Sequence, residues 1–284
     1  MPDIHVDTWA ALQDALFADS WRPGLNRHRS PFLFRGSSSY PGDLRTSIQR
    51  TRLEKHEHHL LKHFRKYAQR TSVTGDSVWN WLGLAKHHGL PTRLLDWTYS
   101  PWVALHFATA TPAKFHRGGG VWCVDFAKAN ELLPAEIRRV LDEEEAQIFT
   151  AEMLDRLARS LPQFDRIGSS EFVLFFEPPS LDERIVNQFA LFSVPSSVRL
   201  DLEKFLSAHP AVLKRILFPA ELKWEIRDKL DQANVTERVL FPGLDGLAAW
   251  LTRYYSDAAT IGRLPEEVEE EAVGRPKSDV DRGK

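Results

Sequence analysis

The stretch "LAKHHGLPTRLLDWTYSPWVALHFA", Leu84–Ala108, decides how this chain is read. Gly89 and Pro91 end a preceding helix, one as its C-cap and one as a stop signal. "TRLLDW" then reads as a short strand, and "TYSPWVALHFATA" as a turn whose Pro101 occupies the first turn of the next helix. "GGGVWCVDF" follows as a glycine turn into a buried strand, which makes a strand–helix–strand unit. Soluble chains rarely crowd His, Arg, Asp, Trp and Thr into one segment merely to fold. These polar residues serve either a ligand or the local architecture, with Pro91 stiffening the approach and Thr98 presenting its hydroxyl at a strand end.

Outward from this unit the pattern is a mixture of helices and strands. Trp9, Leu12, Leu16 and Phe17 recur at helical spacing behind Asp7 or Thr8 as N-cap. "SPFLFRGSS" is an apolar run that stops abruptly, so Arg35 sits where a buried strand ends. Leu53, Leu60, Leu61, Phe64 and Tyr67 mark a helix over 51–70, and a second begins at Asp76 and carries Trp79, Trp81, Leu82 and Leu84. Leu133 to Leu161 reads as a mostly helical, charge-rich insertion whose run Asp142 to Glu145 is a solvated face. Strands resume at "EFVLFFEP", "NQFALFSVP" and "AVLKRILFP", with helices at Leu202–Leu206 and Ala220–Gln232, and "LDGLAAWLTRYY" closes the globule as a helix. Residues 264–284 lack the apolar content to order themselves, so one domain over 1–263 with a disordered tail is expected.

Composition sets the limits. With 284 residues, 43% hydrophobic and 27% charged, the chain can bury a large core. A net charge of -2 gives no global signal for nucleic acid or an anionic membrane. No apolar run reaches the roughly 18 residues of a membrane helix, and the N-terminus lacks the basic start of a leader, so a cytoplasmic protein is expected. Cys123, inside "GVWCVDF", reads as a buried structural thiol. His59 and His63 stand at i, i+4 without a third ligand, which is an exposed polar helix face, and no metal is expected.

Four segments, "FLFRG", "HHGLPTRLLDWTYSPWVALHFA", "RIVNQFALFSV" and "LFPGLDGLAAWL", resemble the successive motifs of the FRG domain, named for Phe-Arg-Gly, here Phe34, Arg35 and Gly36. The likeness runs from about Phe32 to Leu251. The chain departs from the pattern at Ser37, where the family usually has glutamine, and at Lys86, where it often does. The FRG domain is in turn similar in layout to the ADP-ribosyltransferase fold. That resemblance implies an α+β architecture: a split antiparallel sheet with surrounding helices that binds NAD in its cleft. It further implies cleavage of the nicotinamide bond and transfer of ADP-ribose to an unknown macromolecular acceptor or to water, and a toxin or defence effector as the setting.

Carried over residue by residue, the resemblance implies that Arg35 touches the dinucleotide, that Thr98 ends the middle strand, and that Gln188 stands where such transferases place a late-strand carboxylate. Gln188 holds a ribose hydroxyl but supplies no charge. Either another acid, Asp96 or Glu171, faces the oxocarbenium-like transition state, or the domain senses a nucleotide or binds a protein partner without turnover. His88 is assigned to the cleft. Arg93 is read either as a second phosphate ligand or as the ion-pair partner of Asp96, and Trp97 is placed to stack on a base or on the nicotinamide ring. A nuclease is disfavoured, since the acids near the motifs are too scattered to hold divalent ions.

Overall fold

The computed structural model describes residues 3–40, 42–68, 75–179 and 183–257. Ten strands run in chain order: β1 (Ile4–His5), β2 (Trp21–Arg22), β3 (Arg27–His28), β4 (Phe32–Ser37), β5 (Leu95–Thr98), β6 (Gly119–Asp125), β7 (Phe149–Thr150), β8 (Val173–Glu177), β9 (Ala190–Pro195) and β10 (Leu213–Phe218). β2 and β3 form a separate ribbon, and the other eight make one sheet in the order β1-β10-β6-β4-β5-β9-β8-β7. With helices packed around it, the architecture is α+β. The expected antiparallel sheet needs one correction: β1 joins β10 and β7 joins β8 in parallel, so the sheet is mixed. Neither edge strand was expected, and β7 falls within the segment read as mostly helical, because two-residue strands carry too little pattern to be seen.

The sheet is least continuous at its middle. β4 pairs with β6 through six successive partners, from Phe32↔Asp125 to Ser37↔Gly120, and β5 pairs with β9 through four. Between β4 and β5 the register holds a single pair, Phe34↔Thr98. The strand–helix–strand unit therefore steps over a neighbour: β5 and β6 flank β4 rather than each other.

Both faces of the sheet are covered, which is why its strands read as continuous apolar runs. On one face Phe34, Val121, Cys123 and Ile216 meet Ala104, Leu105 and Ala108 of helix Pro101–Ala108. That helix starts cleanly, with Pro101 in its first turn and the Ser100 hydroxyl accepting from the Val103 amide at 3.3 Å. On the other face Leu33, Trp122 and Val124 meet Leu95, Trp97 and Phe175. Burying one such side chain contributes roughly 1.5–3 kcal/mol. Burial also pushes the Cys123 thiol up to about 12, as befits a structural thiol.

The 133–161 segment is helical over Ala135–Glu143 and Ala151–Leu157 and also supplies β7, which extends the sheet. Its Ile137, Leu141 and Leu154 share a core with Trp79 and Leu82 of helix Val78–His87, so the insertion is part of the globule. At the C-terminal side, Arg253 forks onto Asp231 (2.7 Å) and Glu237 (2.7 Å), and Arg227 reaches Glu237 (3.4 Å) and the His106 ring (2.9 Å). This buried network fastens helices Leu222–Gln232 and Leu244–Tyr254 to helix Pro101–Ala108. The closing helix keeps Leu244, Leu247, Leu251 and Tyr254 exposed, so it covers less core than its pattern suggests. The tail expected from residue 264 lies outside the described residues.

Candidate functional site

Where β4 and β5 part, a cleft of about 570 Å³ opens. That falls within the roughly 300–1,000 Å³ typical of small-molecule sites. The Phe-Arg-Gly triplet shows why each residue type is needed there. Phe34 is fully buried, anchoring the strand in the core. Arg35, on the opposite side of the pleat, lines the cleft. Gly36 lies so close to helix Pro101–Ala108 that a Cβ would stand 1.9 Å from the Ala104 carbonyl oxygen.

Arg35 fills the gap left by the interrupted ladder. Its Nη1 donates to the Asp96 carbonyl at 2.7 Å, so a guanidinium satisfies an edge acceptor that a neighbouring strand would otherwise take. The same nitrogen stands 3.9 Å from the Asp96 carboxylate, which in turn accepts from Lys86 Nζ at 2.7 Å. Enclosure works to raise the Asp96 carboxyl, but Lys86 and Arg35 outweigh it and hold the group below its usual range. Asp96 therefore stays ionised, with its side chain 52% exposed toward the cleft. A second cluster lines the loop after β4: Asp43 accepts from Arg45 Nη2 at 2.7 Å and from Arg50 Nη2 at 2.9 Å. Lys114 and Arg184 complete the basic lining.

Several expected assignments are corrected by this geometry. Arg93 is neither at the cleft nor beside Asp96: it is buried, donating to Glu57 at 2.6 Å and to Asp165. Its pairing ties helix Glu57–Tyr67 to the loop before β5 and to Asp165, a structural knot. Trp97 is among the residues lining the cleft, but its ring is buried, edge-on to Phe175 at 5.7 Å with its indole N–H on Ser193 at 2.9 Å, so it offers no open face for stacking. Thr98 lies in the cleft lining as expected, but its hydroxyl donates to the Gln188 carbonyl at 2.7 Å and accepts from the Ser100 amide at 3.0 Å. It fixes the strand-to-helix turn. His88 is an exposed C-cap of helix Val78–His87, whereas His87 lines the cleft. Gln188 does line the cleft, but it follows helix Glu183–Asn187 rather than starting a strand, and its Nε2 donates to the Leu240 carbonyl at 2.9 Å. Glu171 is exposed and is not part of the cleft lining.

Lys86, Asp43, Arg45, Arg50 and Arg184 were missed by sequence reasoning. The signal for Lys86 was present, since it replaces the usual glutamine before "HHG" at the end of a helix that points toward β5.

Lys223 supports the cleft from behind. It is fully buried, and its Nζ donates to the carbonyls of Ser38 and Lys114, each at 2.8 Å, joining two segments of the lining. Burial, with Lys114 nearby, pulls its ammonium down from 10.5 to about 8. The unfolded chain keeps that proton up to 10.5, so between pH 8 and 10.5 it binds more protons than the folded one, and folding gains stability as pH rises. In Lys223→Met this gain disappears. The parent's melting temperature should rise relative to the variant's across that window, and a constant difference would contradict the placement.

Residues 30–117 match the family model of the FRG domain, so the chain carries that domain over the span from just before β4 to just before β6. Arg35, Lys86 and Asp96 fall inside it, whereas Arg184 and Gln188 fall outside. No curated protein and no solved structure matches the chain. Among the described residues no helix is long and apolar enough to cross a membrane, and no group of three His, Cys, Asp or Glu side chains is placed to hold a metal.

Proposed function

We propose that the cleft binds NAD and that the protein cleaves it at the nicotinamide bond, passing ADP-ribose to an acceptor or to water. The observation that carries this reading is the conjunction, at the interrupted centre of the sheet, of a basic lining with one half-exposed ionised carboxylate, Asp96. Guanidinium groups suit the pyrophosphate, which they meet through paired donors. When the C–N bond to nicotinamide breaks, its electron pair leaves with the ring nitrogen and the ribose carbon becomes cationic. An acceptor oxygen then closes the new bond and releases its proton. A fixed carboxylate facing that cation lowers the barrier because it needs no reorganisation as charge develops. Asp96 takes this role in place of Gln188, which supplies no charge. The parting of β4 and β5 is the feature in which this sheet most resembles the split sheet of ADP-ribosyltransferases.

One observation favours a second reading, nucleotide sensing without turnover: Lys86 and Arg35 already neutralise much of the Asp96 charge. Incubation with NAD separates the two. Turnover predicts released nicotinamide, with the rate in Asp96→Asn reduced about 100-fold. Saturable binding without nicotinamide release overturns catalysis and leaves the sensor, and absence of binding overturns both.

A further inference from the structure

The charge of the cleft exceeds what NAD alone would balance. Six basic side chains line it, Arg35, Arg45, Arg50, Lys86, Lys114 and Arg184, against two carboxylates, Asp43 and Asp96. Each carboxylate is shared by two cations: Asp96 by Lys86 and Arg35, Asp43 by Arg45 and Arg50. Among the described residues neither Lys114 nor Arg184 has a carboxylate within ion-pair distance. The cleft thus keeps an excess of four positive charges. A pyrophosphate carries two negative charges, and in NAD the pyridinium ring offsets one of them.

Converging cations repel one another when unoccupied, so a lining of this kind fits a ligand that brings matching charge. A phosphomonoester adds about −1.5 to −2 at pH 7. We infer that the cleft selects nucleotides bearing a phosphomonoester in addition to the pyrophosphate, and that Arg45 and Arg50 form the subsite for it. The inference rests on the nucleotide reading of the cleft.

The Arg45–Asp43–Arg50 cluster has the geometry for that task. Asp43 accepts from Arg45 Nε at 2.9 Å and Nη2 at 2.7 Å, which fixes that guanidinium plane, and from Arg50 Nη2 at 2.9 Å, which tethers the second guanidinium beside it. Both side chains remain at least half exposed, so donors not engaged by Asp43 stay accessible. Burial works to raise the Asp43 carboxyl, but the hydrogen bonds from Arg45 and the charge of Arg50 overcome it and keep the group ionised. Two arginines braced by one carboxylate present a phosphate with a preorganised fork and a net positive charge. Arg35, held by the Asp96 backbone carbonyl, and Lys86, held by the Asp96 carboxylate, are left for the pyrophosphate. A chain meant for the unphosphorylated dinucleotide would gain nothing from the second fork.

The test uses ligands without the scissile bond, so that binding is read apart from turnover. ADP-ribose and ADP-ribose 2′-phosphate are titrated calorimetrically into the parent protein and into the double variant Arg45→Ala, Arg50→Ala. The parent is expected to bind the 2′-phosphate at least about tenfold more tightly, and the double variant to hold the two ligands within about twofold. Equal affinities in the parent overturn the inference while leaving the nucleotide reading intact. A preference that survives in the double variant overturns the assignment to Arg45 and Arg50. If neither ligand binds the parent, the nucleotide reading falls and the inference falls with it.

Discussion

Gly36→Ala is expected to destabilise the fold by about 3 kcal/mol or more, lowering the melting temperature by roughly 6–12 °C. The new Cβ would lie 1.9 Å from the Ala104 carbonyl oxygen and 2.6 Å from the Ala108 amide nitrogen. Both are backbone atoms of a helix fixed by its own core contacts, so no side chain can swing aside to relieve the clash. Either the helix lifts from β4, or β4 shifts and carries Arg35 away from Asp96. Both routes also disturb the cleft, so the loss of stability should come with a loss of ligand binding. Thermal unfolding checks the first effect, and a variant that melts like the parent would mean that β4 and the helix do not approach as described.

Arg93→Met should be at least as damaging, by about 3–5 kcal/mol, because it strands a charge. Glu57 is buried and accepts three bonds from the Arg93 side chain, at 3.0, 2.9 and 2.6 Å, along with the Arg93 amide at 3.1 Å. With the guanidinium gone, its carboxylate must stay ionised without a partner or take up a proton. Asp165 has more access to solvent and suffers less. The double change Arg93→Met with Glu57→Gln should recover part of the loss, since it removes the stranded charge as well. Chemical denaturation of both variants checks this. A double variant weaker than the sum of the single changes would show that the knot is more than a charge pair.

The contrast between Arg35 and Arg93 shows what the sequence made legible. Arg35 ends an apolar run before a glycine, which reads as a strand end; the structure does place it at the cleft, but within β4, which runs on through Gly36 and Ser37 against β6. Arg93 sits three residues from Asp96 in the same motif, which made their pairing an attractive expectation. Its partners instead lie 36 and 72 residues away, brought in by helix packing that no local spacing encodes. The same limit applies to Thr98, whose hydroxyl is consumed by the Gln188 carbonyl 90 residues on. The longer helices and strands followed from periodicity and from glycine, proline and serine punctuation. The two-residue strands β1, β2, β3 and β7 and the short helix Ser47–Arg50 carry no readable pattern, and the helix expected over 51–70 is formed over Glu57–Tyr67. The parallel edges of the sheet and the Asp43 cluster depended on tertiary placement. Trp97 was misread because a tryptophan beside polar residues on a strand alternates to the opposite face from them.

The proposed reaction requires a nucleotide in the gap between β4 and β5, held there by Arg35. Its most direct test is the thermal shift produced by ADP-ribose in the parent and in Arg35→Met, a change that keeps side-chain length and removes the guanidinium. A ligand at 100 times its dissociation constant stabilises the folded state by about 2.7 kcal/mol, a shift of several degrees that is easily measured. This shift is expected in the parent and nearly disappears in Arg35→Met at the same ligand concentration. No shift in the parent, or an equal shift in both proteins, would contradict it.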